Sequence, residues 1–391
     1  MTQLTSTPQR KLAAIYCLFL ILTSCDNSPP YGQIYLAPEF EYFTQLAPIN
    51  DSSWVSVGSR RPALIQATVC IYKYMDADFR TVWEKSYGGE VFEMGGKIIA
   101  VDNGFILFGL TKFSDARDGD SRVALLDTLG REVWNTIIGG KGNDRLFGAV
   151  AAIDSGYLLV GSTAGDASVG FNGWLVKLDN EGKELWTRSF GRPENIKGDY
   201  FSSIQRVKTG GYIISGYTAS YGAGRFDGWL VKIDDHGKEE WSRTYGGVGK
   251  DFIGQPHLLD DGGFLIAGST HQPEEKKVGW LFKTNSQGTE VWSQYYDEIE
   301  GIKSLVPYQS GGYLLLANIK ASENAEYNIW ICRIDKWGDK VWAKELGGKE
   351  RDSASAIYES STGYTIIAHT RSFGGQGSNW IIDLDSQGNP Q

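Results

Sequence analysis

Acidic residues recur at one position of the sequence, each followed by an apolar or aromatic run that is typical of a β-strand. The series consists of Glu93, Asp144, Asp199, Asp251 and Asp352. Carboxylates that open strands gathered around one axis would form a ring able to bind a cation or a polar ligand. The alternative is that each carboxylate accepts hydrogen bonds from its own loop and recurs because the loop recurs. One copy interrupts the series, since it offers only Glu298 and Glu300, both out of register.

Residues suited to metal binding or nucleophilic catalysis are few. The four histidines lie in different parts of the chain without paired ligand spacing, which argues against a zinc site, and no Gly-x-Ser-x-Gly motif occurs. The acidic segment from Asp115 to Asp120 lacks the alternating oxygen ligands and the closing glutamate of a calcium loop. Calcium there is a weak alternative to a solvated loop. The sequence therefore predicts no cofactor, no metal and no catalytic residue.

The elements that would position these side chains are copies of one unit. It runs from Trp174 to Trp186, and its Asp-Asn-Glu-Gly segment predicts a tight turn between two strands. The second tryptophan returns every 50 to 55 residues, at Trp83, Trp134, Trp186, Trp241, Trp292 and Trp342. We expect each of these indoles to lie between neighbouring units and to meet the Gly-Gly segment of the next unit.

Turn residues divide each copy into four short strands, and no helical period persists after the first 24 residues. Four strands in about 50 residues is the sequence pattern of a β-propeller blade. Six copies are complete, and a seventh lacks its fourth strand after Trp380–Leu384. A spare strand at Gln33–Leu36 precedes the first copy. We therefore predict an all-β, seven-bladed β-propeller over residues 32–391, closed by an N-terminal strand that pairs with the last blade.

The repeated pattern Asp-x-x-Gly-x-x-x-Trp resembles the tryptophan-docking repeat of quinoprotein-like propellers. That group includes pyrroloquinoline-quinone dehydrogenases and outer-membrane assembly lipoproteins. The Gly-Gly-x-x-x-Asp segments at 139–144, 246–251 and 347–352 are similar to repeats of secreted and surface bacterial proteins. The resemblance covers nearly all of the chain after residue 24 and implies the propeller fold. It does not extend to the cofactor residues of the quinone enzymes, so it implies no dehydrogenase activity.

Residues 1–24 have the pattern of an export signal, with two basic residues before an apolar run too short to span a bilayer. The run ends in Leu-Thr-Ser-Cys, which resembles the lipobox of bacterial lipoproteins. The resemblance implies cleavage before Cys25 and acylation of that cysteine, with residues 25–31 as the lipidated cysteine and a short tether. An ordinary signal peptide is the alternative. We predict a lipoprotein at the outer membrane or cell surface, with a periplasmic orientation as the other possibility.

Charge and cysteine use agree with an exported protein. The formal net charge is −9, and loss of Arg10 and Lys11 with the leader leaves −11, which argues against a nucleic-acid or anionic-lipid surface. Cys70 and Cys332 lie in different copies of the unit, so we expect two buried thiols and no disulfide. We expect a monomer attached to the membrane only through its lipid.

The two ends of the predicted propeller differ. One end, the turn face, carries only tight turns, whereas the other, the long-loop face, carries connections of variable sequence. Binding residues generally lie on the variable face of a constant scaffold. The candidate contacts are Arg192, Lys197, Tyr221, Arg225, Phe226, Arg371 and Phe373. These features indicate a protein- or glycan-binding scaffold. The alternative is a polysaccharide-degrading enzyme, which two facing carboxylates about 5–10 Å apart in an open pocket would favour.

Overall fold

The structure, a computed structural model, describes residues 29–35, 41–50, 53–60, 69–76, 80–87, 93–112, 119–140, 142–165, 170–192, 197–272, 276–320, 326–373 and 378–391. This part of the chain contains strands and no helix, which confirms the predicted all-β class. It therefore offers no helical segment capable of crossing a membrane. The predicted leader and Cys25 lie outside the described residues.

The strands form seven antiparallel sheets, numbered here in chain order. The first strand, β1 (Gln33–Tyr35), belongs to the last sheet. Sheet 1 contains β2 (Glu41–Asn50), β3 (Ser53–Arg60), β4 (Val69–Asp76) and β5 (Thr81–Tyr87). Sheet 2 contains β6 (Glu93–Val101), β7 (Gly104–Lys112), β8 (Gly119–Leu126) and β9 (Glu132–Ile138). Sheet 3 contains β10 (Asp144–Ala151), β11 (Tyr157–Thr163), β12 (Asn172–Leu178) and β13 (Glu184–Phe190).

The remaining four sheets repeat this order, with one irregularity in sheet 5. Sheet 4 contains β14 (Asp199–Arg206), β15 (Tyr212–Thr218), β16 (Asp227–Ile233) and β17 (Glu239–Tyr245). In sheet 5 the inner strand is split into β18 (Phe252–Ile253) and β19 (His257–Leu258). The other strands of this sheet are β20 (Phe264–His271), β21 (Lys277–Thr284) and β22 (Glu290–Tyr296). Sheet 6 contains β23 (Ile299–Pro307), β24 (Tyr313–Lys320), β25 (Tyr327–Ile334) and β26 (Lys340–Leu346). Sheet 7 contains β27 (Asp352–Ser360), β28 (Gly363–Thr370) and β29 (Ser378–Asp385), with β1 at its edge.

The N-terminal strand pairs with the last sheet as the sequence predicts. Gln33 lies opposite Ile381 and Tyr35 lies opposite Asn379 in an antiparallel register. Tyr31, two residues before the strand, adds two further contacts. The Trp380 indole donates a hydrogen bond to the Tyr31 carbonyl at 3.1 Å, and the two rings stack with centroids 5.4 Å apart. Strand β1 thereby pairs with an edge of β29 that would otherwise offer unpaired N–H and C=O groups.

The core consists of apolar side chains shared between consecutive sheets. Strands β11, β12, β15 and β16 carry aliphatic residues that are buried almost without interruption, as expected for strands covered on both faces. Between sheets 3 and 4, for example, Leu158 and Leu175 pack with Phe201, Ile214 and Trp229. The outermost strand β13 is largely exposed. Burial therefore falls from the middle strands toward the outer edge of each sheet.

The first and last sheets also contact each other. Trp54 and Met75 of sheet 1 pack in one cluster with Ile367 and Ile381 of sheet 7. The Trp54 ring meets the Tyr358 ring edge-on, with centroids 6.2 Å apart. Sheets 1 and 7 are thus joined by apolar contacts of the same kind as those between consecutive sheets.

The repeated tryptophans lie between neighbouring sheets, but their contact differs from the one expected. Each packs against the glycine of the Asp-x-x-Gly turn in the next sheet, not against the Gly-Gly segment. The pairs are Trp83–Gly130, Trp134–Gly182, Trp186–Gly237, Trp241–Gly288, Trp292–Gly338 and Trp342–Gly388. The expectation failed because the tryptophan enters the outermost strand beside the tight turn, at the end of the sheet opposite the Gly-Gly segment.

Candidate functional site

The described carboxylates of the acidic series, those of its four aspartates, bind loops of the protein itself. In sheet 5 the Asp251 side chain is fully buried, and its Oδ1 accepts a hydrogen bond from the Thr270 hydroxyl. Its Oδ2 accepts a second one from the Gly247 N–H at 2.8 Å. Asp199 and Asp352 are equally buried and accept hydrogen bonds from threonines at the equivalent position. Each of these carboxylates joins the start of an inner strand to the Gly-Gly segment or to the end of the second strand.

Asp144 differs from this arrangement, and the side chain of Glu93 is not described. The Oδ2 of Asp144 accepts a hydrogen bond from the Gly140 N–H at 2.6 Å, while its buried Oδ1 has no partner among the described residues. Glu93 is the first residue of β6, and its side chain lies outside the described part of the structure. The hydrogen bonds of the series favour the loop interpretation over a ligand-binding ring.

One further carboxyl group bears on the enzymatic alternative. Asp227 is 1% exposed, and burial raises the pKa of its carboxyl group, a property shared with general acids. Its oxygens accept hydrogen bonds from the covering loop, including one from the Gly224 N–H at 2.9 Å. Sheets 3 and 6 carry the neutral Asn172 and Asn328 at the equivalent position. Glycoside hydrolysis requires carboxyl groups that face the substrate, and Asp227 is enclosed by its own loop.

A row of aromatic rings crosses the long-loop face from sheet 3 to sheet 5. Phe171 lies 5.4 Å from Tyr200, which stacks on Tyr217 at 4.8 Å between ring centroids. Tyr217 meets both Phe226, at 5.6 Å, and Phe252, at 5.1 Å. All five rings are partly exposed. We call these five residues the aromatic row. Burial raises the pKa of the Tyr200 and Tyr217 hydroxyl groups, so both remain protonated hydrogen-bond donors at neutral pH.

The repeat does not require these rings. The cross-strand pair that follows the acidic position is Tyr200–Tyr217 in sheet 4, but Arg145–Ser162 in sheet 3 and Ser353–His369 in sheet 7. Those sheets form the same ladder without an aromatic pair. Sheet 1 pairs Tyr42 with Ser59 here, so among the described ladders a pair of tyrosines at this position is particular to sheet 4, and packing of the repeated unit does not account for the pair.

The aromatic row leads into a pocket of about 390 Å³ on the same face. Phe252 belongs to both, and the other walls come from the starts of β21, β23 and β25 and from the connection before β27. The charged and aromatic residues of this pocket are Lys277, Glu300, Lys303, Tyr327 and Arg351. We call it the cationic pocket. Its volume lies within the range of small-ligand sites in proteins.

Tyr327 organises the centre of the cationic pocket. Its hydroxyl donates a hydrogen bond to Glu300 Oε1 at 2.8 Å. Two cations contact its ring, with Lys320 Nζ 4.4 Å and Arg351 Cζ 5.3 Å from the ring centroid. Burial and the hydrogen bond to Glu300 raise the pKa of the Tyr327 hydroxyl, which therefore stays protonated at neutral pH.

A short connection opens the cationic pocket. Only residues 297 and 298 separate Tyr296, the end of β22, from Ile299, the start of β23. The connections that precede β6, β10, β14, β18 and β27 have five residues or more. Sheet 6 therefore lacks the Gly-Gly-x-x-x-Asp segment that covers this position in sheets 3, 5 and 7. The interruption of the acidic series and the presence of the pocket have the same structural cause.

The seven candidate residues from the sequence fall at separate places on the long-loop face. Phe226 belongs to the aromatic row. Arg192 lies over the Tyr221 ring, 5.1 Å from its centroid, and Tyr221 lines a larger cleft of about 790 Å³ between the outer strands of sheets 3 and 4. Clefts of about 600 and 580 Å³ occur between sheets 6 and 7 and between sheets 5 and 6 on the turn side. Clefts between neighbouring sheets therefore recur in the molecule, and the cleft at Tyr221 is one of them. This favours the cationic pocket as the candidate ligand-binding site.

The other candidates contribute less to the site. Arg371 is exposed beside the cationic pocket, where its backbone N–H donates a hydrogen bond to the Arg351 carbonyl at 2.9 Å. Phe373 packs edge-on against Trp380 at 5.0 Å and covers sheet 7. Lys197 and Arg225 are exposed on the same face but do not line the pocket. The structure therefore brings Phe226 into the site, places Arg371 at its margin and leaves the other five residues outside it.

Sequence reasoning missed most residues of the site. Two signals mark them in retrospect: the absent Gly-Gly segment before β23, and the residue three positions before the tryptophan of each third strand. That residue is Phe171 in sheet 3, Phe226 in sheet 4, Lys277 in sheet 5 and Tyr327 in sheet 6. The described residues hold no group of three histidine, cysteine or acidic side chains arranged for a metal. The calcium-like segment lies largely outside them.

Sheets of four antiparallel strands, joined in sequence and packed face to face by apolar contacts, define the β-propeller class of protein. No protein-family model matches this sequence, and no curated protein matches it either. Solved structures do. The chain is similar to the WD40 domain of Neurospora crassa Pan2, with a TM-score of 0.55, 9% identity and coverage of 87% of this chain and 88% of that one.

Two further similarities concern larger or less similar proteins. Pyrococcus horikoshii acylaminoacyl peptidase gives a TM-score of 0.52 at 9% identity, covering 90% of this chain. The chain spans only 52% of that peptidase. A Bacteroides caccae protein of unknown function is 17% identical, with a TM-score of 0.41 and coverage of 76% of this chain and 94% of that one. At these identities the two similarities with TM-scores above 0.5 establish the propeller-like fold and carry no activity to this chain.

Proposed function

We propose that this protein is a membrane-anchored, extracytoplasmic lipoprotein whose propeller binds a glycan on its long-loop face. The observation that carries the proposal is the aromatic row, which leads across three sheets into the cationic pocket. Partly exposed rings in a continuous row present both an apolar surface and polar edges. A sugar ring has an apolar face of C–H groups and a rim of hydroxyl groups, so it matches such a surface.

The shape of the site favours a glycan over a protein partner. Small polar ligands occupy concave sites lined by aromatic residues and a few oriented polar groups. The cationic pocket has this form, with Phe252 and Tyr327 among its walls and the Glu300 carboxylate held by the Tyr327 hydroxyl. The buried carboxylates of the acidic series offer no open acidic pair, so the geometry supports binding better than hydrolysis.

The scaffold that presents this face is inferred to be a closed ring of seven blades. Two observations support closure: β1 pairs with β29, and the apolar cluster of Trp54 and Ile367 joins sheet 1 to sheet 7. A closed ring fixes the angular position of every sheet, so residues from sheets 3 to 7 keep a constant arrangement on the long-loop face. Attachment through Cys25 would hold this ring close to a membrane.

The test is a glycan array probed with the full-length protein, solubilised in detergent, followed by titration of the best glycan. Tyr217→Ser introduces the residue found at the equivalent position in sheets 3 and 5 and removes one ring of the row. We expect it to weaken binding about 10- to 100-fold, because truncation of a central aromatic contact generally has this effect. Unfolding of the variant should remain cooperative, since sheets 3 and 5 fold with serine there.

Two exposed residues of the turn face provide matched controls. His236→Ala and Lys208→Ala should leave the affinity unchanged, because both side chains lie at the opposite end of the strands. If either control removed binding while Tyr217→Ser did not, the assignment of the face would be wrong. Absence of binding to any glycan, together with capture of a protein partner that Tyr217→Ser releases, would replace the glycan with a protein as the ligand.

A further inference from the structure

The cationic pocket has a charge opposite to that of the protein. The chain carries a formal net charge of −9, whereas the pocket is lined by Lys277, Lys303 and Arg351 against the single carboxylate of Glu300. Clustered charges of one sign in a concave site attract ligands of the opposite sign. The pocket is therefore a place where an acidic protein attracts an anion.

The cations of the pocket differ from the lysines at the turn ends of the third strands. Lysines at the turn ends of the third strands form ion pairs, as Lys177 does with Asp154 and Lys283 does with Asp261. Among the described residues, Lys277, Lys303 and Arg351 form no ion pair, and all three are exposed at the pocket. Their charges remain available to a ligand. Arg351 is also held in place, because its guanidinium group lies over the Tyr327 ring.

The carboxylate of Glu300 restricts which anion fits. An inorganic anion would gain from the three cations but would be repelled by this carboxylate, whose position is fixed by the hydrogen bond from Tyr327. A ligand with both a negative group and hydroxyl donors can satisfy both kinds of residue, because carboxylates accept hydrogen bonds and arginine donates two parallel ones. Sugars that carry an acidic substituent have this combination.

We infer that the glycan is acidic, with a carboxylate- or sulfate-bearing sugar in the cationic pocket and neighbouring sugars along the aromatic row. This inference rests on the proposed glycan-binding function and names the class of glycan. Arg351 and Lys303 bind the acidic substituent, Lys277 adds attraction from sheet 5, and Glu300 accepts a hydrogen bond from a sugar hydroxyl. The Phe252 ring belongs to both the cationic pocket and the aromatic row, so it lies where the acidic sugar would be linked to the next sugar of the glycan.

Titration calorimetry with three probes of equal length tests the inference: an oligogalacturonate, its neutral galacto-oligosaccharide counterpart and a sulfated galacto-oligosaccharide. We expect one of the two acidic probes to bind the full-length protein at least about tenfold more tightly than the neutral one, and added salt to reduce that difference. The stronger acidic probe identifies the substituent. Arg351→Ala and, separately, Lys303→Ala should weaken its binding about 10- to 100-fold.

The controls separate this inference from the proposed function. Lys208→Ala removes an exposed lysine of the turn face and should leave all affinities unchanged. If the neutral probe bound as tightly as the acidic ones and the pocket variants had no effect while Tyr217→Ser did, the acidic class would be wrong and glycan binding would stand. If inorganic sulfate displaced the acidic probe at equal concentration, the pocket would be a simple anion site. Failure of all probes and of the glycan array would overturn both proposals.

Discussion

The indole of Trp186 lies against Gly237, which belongs to the turn of the neighbouring sheet. A Cβ atom at Gly237 would lie 2.5 Å from Cη2 of this indole. Above the same pair, Arg188 stacks on the Trp186 ring at 4.9 Å and donates a hydrogen bond to the Gly237 carbonyl at 2.7 Å. The glycine also has a φ of +76°, so the turn requires it for conformation and the neighbouring sheet requires it for contact.

A pair of glycine substitutions separates these two requirements. Gly210 has a φ of +97°, but a Cβ atom there would meet nothing within 4 Å. Gly210→Ala should therefore lower the free energy of unfolding by only about 1 kcal/mol, the cost of a left-handed alanine. Gly237→Ala adds a collision with Trp186 and should cost about 3 kcal/mol. Urea unfolding of both variants measures the difference, and equal losses would mean that Trp186 moves aside freely.

The N-terminal strand can be tested by truncation. A chain that begins at residue 36 lacks β1 and the Tyr31 ring that stacks on Trp380. If roughly 150 Å² of apolar surface becomes exposed, the free energy of unfolding should fall by about 4 kcal/mol. A chain that begins at residue 29 keeps both contacts and is the control. Identical urea midpoints for the two chains would show that β1 contributes nothing to stability.

The anchor prediction concerns Cys25, which lies outside the described residues. Cys25→Ala should move the protein from the membrane fraction to the soluble fraction, because acyl chains are the predicted attachment. Cys17→Ala alters a cysteine that the predicted cleavage removes, so this control should stay in the membrane fraction. Fractionation followed by immunoblotting measures both. Membrane retention of the Cys25 variant would point to attachment through a bound partner.

Two aspartates of the acidic series should respond differently to loss of charge. In the wild-type protein the Thr270 hydroxyl and the Gly247 N–H both donate hydrogen bonds to the Asp251 carboxylate. In the Asp251→Asn variant the amide N–H₂ group must face one of these two donors. One buried donor then loses its acceptor, and the free energy of unfolding should fall by about 2 kcal/mol. Asp144→Asn can direct its amide to the side where Oδ1 has no described partner, and should cost under about 1 kcal/mol. Equal losses by urea unfolding would contradict the assigned hydrogen bonds.

The Cys332 thiol should resist alkylation in the folded protein. It is free and fully buried, and burial raises its pKa to about 12. Since the thiolate is the reactive form, a thiol whose pKa lies above the ambient pH stays protonated and inert at about pH 8. Peptide mapping after iodoacetamide treatment should find Cys332 unmodified before unfolding in urea and modified afterward. Rapid modification of the folded protein would indicate local opening of sheet 6.

The sequence predicted those features that depend on residues close together in the chain. The Asp-x-x-Gly turns form as expected; in the turn after β12, for example, the Asp179 carboxylate accepts hydrogen bonds from the Glu181 and Lys183 N–H groups. Strand order within each sheet follows from short connections, and the spare N-terminal segment identified its partner because only the last sheet lacked a fourth strand. The contact of the repeated tryptophans was predicted wrongly, because the end of the sheet at which they lie depends on the neighbouring sheet.

By itself the sequence determined the repeat, the all-β class, the position of the turns and the face that varies, since each is written in local spacing and turn chemistry. Only the tertiary structure decided the site. The cationic pocket exists because Lys277, Tyr327 and Arg351, from three different sheets, meet where the connection before β23 is short. The aromatic row likewise joins rings of three sheets. Whether such side chains meet depends on the packing angle between sheets, which apolar contacts across the whole molecule set and no local pattern encodes.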